Sequence, residues 1–123
     1  MANIIKVGVC KGRHEMPCSD YVFDFIEDPT NVNDMREVAI KYFFQLREKL
    51  PHKNCYFCDE NGNDFPVGKA DAKLEIYVTG LTVAVIEVLQ AALYYFSGFD
   101  ITLMHFDAKS GNYYPQRLNI VTF

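Results

Sequence analysis

Strands alternating with helices along a short chain predict an α/β fold, a mainly parallel sheet with two main helices and a C-terminal antiparallel hairpin. Its layering, two or three, is left open by the pattern. Three observations carry the prediction. Residues 4–9 (IIKVGV) and 73–78 (KLEIYV) are short, β-rich runs that read as buried strands. Apolar residues recur at helical spacing from Met35 to Leu50, and the run 81–96 is apolar almost throughout. Finally, residues 101–106 (ITLMHF) and 113–123 are separated only by a polar turn with Gly111, the signal of a hairpin.

Taken in order, the first strand ends at a polar loop over residues 10–17, and 21–26 (YVFDFI) reads as an edge strand or extended link. Asp28-Pro29-Thr30-Asn31 is turn chemistry. A helix is expected from Asn33 or Asp34, with Glu37 three residues beyond Asp34 to complete a capping box. Pro51 stops it at Leu50. Residues 52–72 form either a small β-excursion turning at Asn61-Gly62 or an irregular loop. In the second helix only Glu87 and Gln90 are clearly polar, so it is expected to be covered on more than one side, the extra cover coming from a second protomer. Ser97-Gly98 ends it.

The chain has 123 residues, half of them apolar and 23% charged, which fits one domain spanning 1–123. Its net charge of −4 argues against a duplex nucleic-acid binder, which needs a basic face, but leaves room for a small anionic ligand. No apolar run is long enough to span a bilayer, and the first residues carry no leader pattern, so a cytoplasmic location is expected. The four cysteines are then expected as thiols or metal ligands, not disulfides. Neither a membrane partner nor a cofactor is expected.

In a parallel α/β sheet, ligands bind outside the carboxyl ends of the strands, where three loops should gather. Thr79-Gly80-Leu81-Thr82 joins the central strand to the second helix and can cradle an anion, Gly80 admitting the ligand to the backbone. The same residues also suit a capped helix with Thr82 as N-cap. Lys11-Gly12-Arg13-His14 follows the first strand: Arg13 can hold a phosphate through two N–H groups, and His14 can donate or act in acid–base chemistry. The alternative is a solvated loop. His105 shares a strand face with Leu103 and Asp107, so a carboxylate could orient its imidazole as in a catalytic pair. Otherwise it is a satisfied histidine near a turn, with Gln116 and Arg117 as polar partners. Cys55-x-x-Cys58, with His52, has zinc half-site spacing, yet Cys10 and Cys18 do not supply a second knuckle and inert thiols remain the simpler reading. Tyr94-Tyr95-Phe96, Tyr113-Tyr114 and Tyr21 suit either base stacking or packing.

Laid out this way, the chain resembles the small CRISPR-associated Rossmann-like (CARF) proteins and their short stand-alone relatives. The resemblance rests on the strand-turn-helix 74–96 with Thr79-Gly80-Leu81-Thr82, and on Met104-His105-Phe106-Asp107 followed by Gly111-x-Tyr113-x-Pro115-Gln116. The loop Gly12-Arg13-His14-Glu15-Met16-Pro17 is similar to a G-R-H-x-x-P loop of small phage or mobile-element proteins. Residues 1–17 and the chain from Leu74 onward carry the match. The resemblance implies a Rossmann-like homodimer that binds a cyclic oligonucleotide second messenger, such as cyclic oligoadenylate. Lys11, Gly12, Arg13, His14, Thr79, Gly80, Leu81, Thr82 and Gln116 would be its ligand contacts. This chain lacks the nuclease or DNA-binding effector domain of such sensors, so the implied role is sequestration of an antiviral signal. The alternatives are a metal-independent ring nuclease, with His14 or His105 as candidate catalytic groups, and a protein–protein inhibitor without a small ligand.

Overall fold

The computed structural model describes residues 3–11, 15–49, 56–58, 64–66 and 72–118. Strands β1 (Asn3–Cys10), β2 (Asp20–Phe23), β5 (Ala72–Tyr77), β6 (Asp100–Asp107) and β7 (Asn112–Arg117) form one sheet in the order β2-β1-β5-β6-β7. The first four of these strands are mutually parallel, and β7 returns antiparallel to β6. Helix α1 (Val32–Glu48) connects β2 towards β5, and α2 (Thr82–Tyr95) connects β5 to β6. Between α1 and β5, β3 (Tyr56–Cys58) and β4 (Asp64–Pro66) pair as a separate antiparallel hairpin, the expected β-excursion. Asn61-Gly62 lies outside the described residues.

Register explains why one sheet face is apolar and the other is not. Val7, Ile76 and Leu103 stand in one row across β1, β5 and β6, and Leu74 and Ile101 form the next. All five are buried in one cluster with Met35, Ala39 and Phe43 of α1 and Ala84, Val88 and Ala92 of α2. Both helices therefore pack on the same face, as two successive right-handed crossovers in one direction require. The intervening row, Lys6, Glu75, Thr102 and Arg117, faces the other way and stays at least partly exposed. The architecture has two layers.

Helix α1 begins at Val32, one or two residues earlier than the sequence suggests. Asn31 is its N-cap, the side chain accepting the Asp34 N–H at 3.1 Å, in place of a box built on Asp34 and Glu37. Asn31 is placed there by the preceding turn, where Asp28 accepts both the N–H and the hydroxyl of Thr30 at 2.9 and 2.6 Å. Met35, Ala39, Phe43 and Arg47 are its buried positions, and the Arg47 guanidinium lies 5.6 Å from the centre of the Phe99 ring. Helix α2 buries Ala84, Glu87, Val88, Ala91 and Ala92. Gly98, at φ 92°, turns the chain after it, and Gly111, at φ 74°, makes the β6–β7 turn, both as the sequence predicts. The expected strand at 21–26 is shorter in the structure, with β2 ending at Phe23; β7 runs to Arg117, and residues 119–123 of the expected last strand lie outside the described residues. No helix among the described residues is long and apolar enough to cross a membrane.

Candidate functional site

Two neighbouring parallel strands send their connections to opposite faces of the sheet. After Val78 and Thr79, β5 feeds α2 on the helical face. After Cys10, the chain leaves β1 for the outer edge and returns on the opposite face. A Cβ placed on Gly8 would meet the Tyr21 ring at 2.5 Å and Cys18 Sγ at 3.0 Å, so these side chains cover that face. Divergence of this kind marks the topological switch point, the place at the carboxyl ends of the strands where open α/β sheets bind ligands. Gly8 pairs with Tyr77, and Tyr77 with Met104, so Lys11 and Thr79 follow their strands at the edge where His105 stands near the end of β6.

The candidate ligand residues sit around that edge as follows. Lys11 is exposed, its backbone N–H donating to Phe23 O at 3.0 Å. Gly12, Arg13 and His14 lie outside the described residues. Thr79 Oγ1 accepts the Leu81 N–H at 3.3 Å, and the Leu81 carbonyl accepts from Val85 at 3.0 Å. Leu81 is therefore the N-cap, and Thr82 is the first helical residue, correcting the expected cap at Thr82. The Leu81 side chain packs against the core and makes no cap hydrogen bond, and the first turn of α2 holds no acidic residue. The positive end of the α2 dipole is thus left uncompensated by side chains, in contrast to α1 with Asn31 and Asp34. Gly80 is exposed, has no positive φ, and a Cβ there would meet nothing within 4 Å. Neither backbone conformation nor internal packing demands glycine at this position.

On the β6 side of the same edge, His105 is not oriented by a carboxylate. Its Nε2–H donates to Gln116 Oε1 at 2.7 Å, while Asp107 accepts the Lys109 backbone N–H at 3.1 Å. The Asp107 carboxylate is instead engaged by its own turn, capping the N–H two residues on. Tyr114, directly across from His105, stacks on the imidazole with 5.4 Å between ring centres and stays half exposed. The other tyrosine of this pair, Tyr113, lies on the opposite face among Tyr77 and Phe106, at 5.0 and 5.3 Å.

That opposite face carries several perturbed groups. Burial, then a hydrogen bond to Glu75, pushes the Tyr77 phenol above its usual range, the hydroxyl donating to Glu75 Oε1 at 3.1 Å. Burial also raises the Cys18 thiol, with Asp20 adding to the shift and Tyr21 and Lys6 opposing it. Such a thiol is a poor nucleophile and a poor metal ligand at neutral pH. Cys55 and His52 lie outside the described residues, and Cys58 closes β3. No group of three or more His, Cys, Asp or Glu side chains comes together among the described residues.

Sequence reasoning missed one constellation altogether. Arg36 of α1 reaches Glu87 of α2, 51 residues away, through two hydrogen bonds of 2.9 and 3.1 Å. The fork satisfies a carboxylate that is 4% exposed and borders a cleft of about 300 Å³ lined by Ile40, Gln90, Tyr94 and Tyr95. A charged residue on an otherwise apolar helix was the only sequence signal for it. No protein-family model, curated protein or solved structure matches this chain.

Proposed function

We propose that this protein binds a phosphate-bearing ligand of the nucleotide class at the carboxyl edge of its parallel strands and holds it intact. The specific form of the reading is capture of a cyclic oligonucleotide second messenger of a prokaryotic antiviral system, such as cyclic oligoadenylate, by a homodimer. One observation carries it. The first turn of α2 offers backbone N–H groups without a side-chain cap or acidic neighbour, and the approach passes a glycine with open space above it. Lys11 on one flank and the His105–Tyr114 stack on the other supply a cation and an aromatic surface at the same edge. Retention is favoured over ring cleavage because His105 is bonded to Gln116 and not to a carboxylate that would orient it as in a catalytic pair.

The test is melting temperature together with chromatography of a panel of cyclic di-, tri- and tetranucleotides incubated with the protein. A rise in melting temperature with ligand recovered intact is the expected result. Linear products would make the protein a ring nuclease instead. No shift with any member at hundreds of micromolar would transfer the function to protein–protein inhibition. Gly80→Gln should abolish the shift while leaving the unliganded melting temperature unchanged, because its side chain enters open space. Undiminished binding by that variant would place the site elsewhere.

A further inference from the structure

The two helices are covered by the sheet beneath and by each other at their flanks, but their outward surface carries an apolar strip. Ile40 and Phe44 of α1 and Val83, Ile86, Leu93 and Tyr94 of α2 are exposed, Tyr94 by 76%. They line a single strip, because Ile40 and Tyr94 border the cleft between the helices and Phe44 meets Tyr95 edge-on at 5.9 Å. On α2 the residues Val83, Ile86, Gln90 and Leu93 follow three-four-three spacing, the seam used when one helix packs along another.

We infer that this α1–α2 face is where two copies of the chain associate, with Tyr94 of each copy entering the interhelical cleft of the other. The inference rests on the homodimer part of the reading above and is independent of any ligand. Area supports a second copy: the six side chains expose roughly 600 Å² per copy, so two copies bury about the 1,200 Å² at which specific interfaces begin. Charge supports it too. The cation and the carboxylate bordering the cleft, Arg36 and Glu87, neutralise each other, so the two-fold apposition of identical surfaces brings no like charges together there. Around the strip, Glu37, Lys41 and Glu48 mix both signs, which suits neither an anionic bilayer nor a strongly charged foreign surface. The cleft, at about 300 Å³, has room for an aromatic side chain as anchor.

Sedimentation equilibrium of the full chain, without ligand, tests the assignment. The wild-type protein is expected to dimerise with a dissociation constant in the micromolar range, as an interface of this size allows. Ile86→Glu and Tyr94→Ala should each raise that constant at least about tenfold, with circular dichroism and melting curves of the monomer retained. Val38→Glu, an exposed apolar position on the other flank of α1, should leave it unchanged. A wild-type monomer at hundreds of micromolar would overturn the inference. So would a dimer as insensitive to Ile86→Glu and Tyr94→Ala as to Val38→Glu, since its interface would lie elsewhere. A monomer that floats with phosphatidylcholine or phosphatidylglycerol vesicles would give the face to a membrane and equally overturn it. None of these results depends on nucleotide binding, so failure here and failure of the ligand proposal are separable.

Discussion

At the scale of single residues, two glycines do opposite jobs. Gly8 is demanded by packing: the Tyr21 ring and Cys18 sulfur occupy the space a Cβ would take. Gly8→Ala must therefore displace an aromatic ring that cannot simply swing its tip away. A loss of about 1–3 kcal/mol in unfolding free energy is expected, measured by urea denaturation. Gly80 has no such neighbour, and its freedom is available for an incoming ligand. His105 makes a related point. A histidine two residues from an aspartate on one strand face suggests a catalytic pair, yet the imidazole is held by Gln116 and the aspartate serves its own turn.

At the scale of elements, the two helices begin in different ways, and the difference has consequences. Helix α1 is closed by Asn31, whose side chain accepts the Asp34 N–H. Asn31→Ala should cost about 1 kcal/mol, visible as a lower urea midpoint without change in the native circular dichroism spectrum. Helix α2 begins at a leucine that is spent on packing, so its first N–H groups keep their capacity for an external acceptor. It is stabilised by burial, not by its ends. The same helix carries one buried carboxylate, which is tolerable only because α1 delivers a guanidinium fork to it. That fork also sets how α1 and α2 lie against each other at the cleft.

For the whole molecule, the division of the sheet into two faces governs both stability and function. The helical face holds the core, while the opposite face holds a small aromatic group of Tyr21, Tyr77 and Tyr113 beside the charged row Lys6, Glu75 and Arg117. Burial raises the phenols of Tyr77 and Tyr113 on this face, and pushes Tyr42 on α1 up to about 12. In the unfolded chain these groups ionise near 10, so the folded state binds more protons between the two values. Their stabilising contribution is complete below about pH 10 and is lost as the pH rises through the folded values. The urea midpoint should accordingly fall between about pH 9 and pH 11.5, with Tyr42→Phe giving a shallower decline. A pH-independent midpoint across that range would contradict the burial assigned to these rings.

Local pattern was enough for the order of strands and helices, the parallel core, the closing hairpin and the glycines at 98 and 111, because periodicity and turn chemistry act between near neighbours in the chain. It was also enough to mark Thr79 to Thr82 as the turn into a helix on which the candidate site is built. What it could not supply was anything decided by partners far apart in sequence. Asn31 displaced Asp34 as the cap because the Asp28 turn positioned it, and Arg36 found Glu87 only when both helices shared one face. Likewise, the apolar character of α2 was plain from its residues, but which stripe stayed uncovered depended on where α1 came to lie. Side chains reach only a few ångströms, so tertiary packing alone chooses between neighbours that the chain separates by tens of residues.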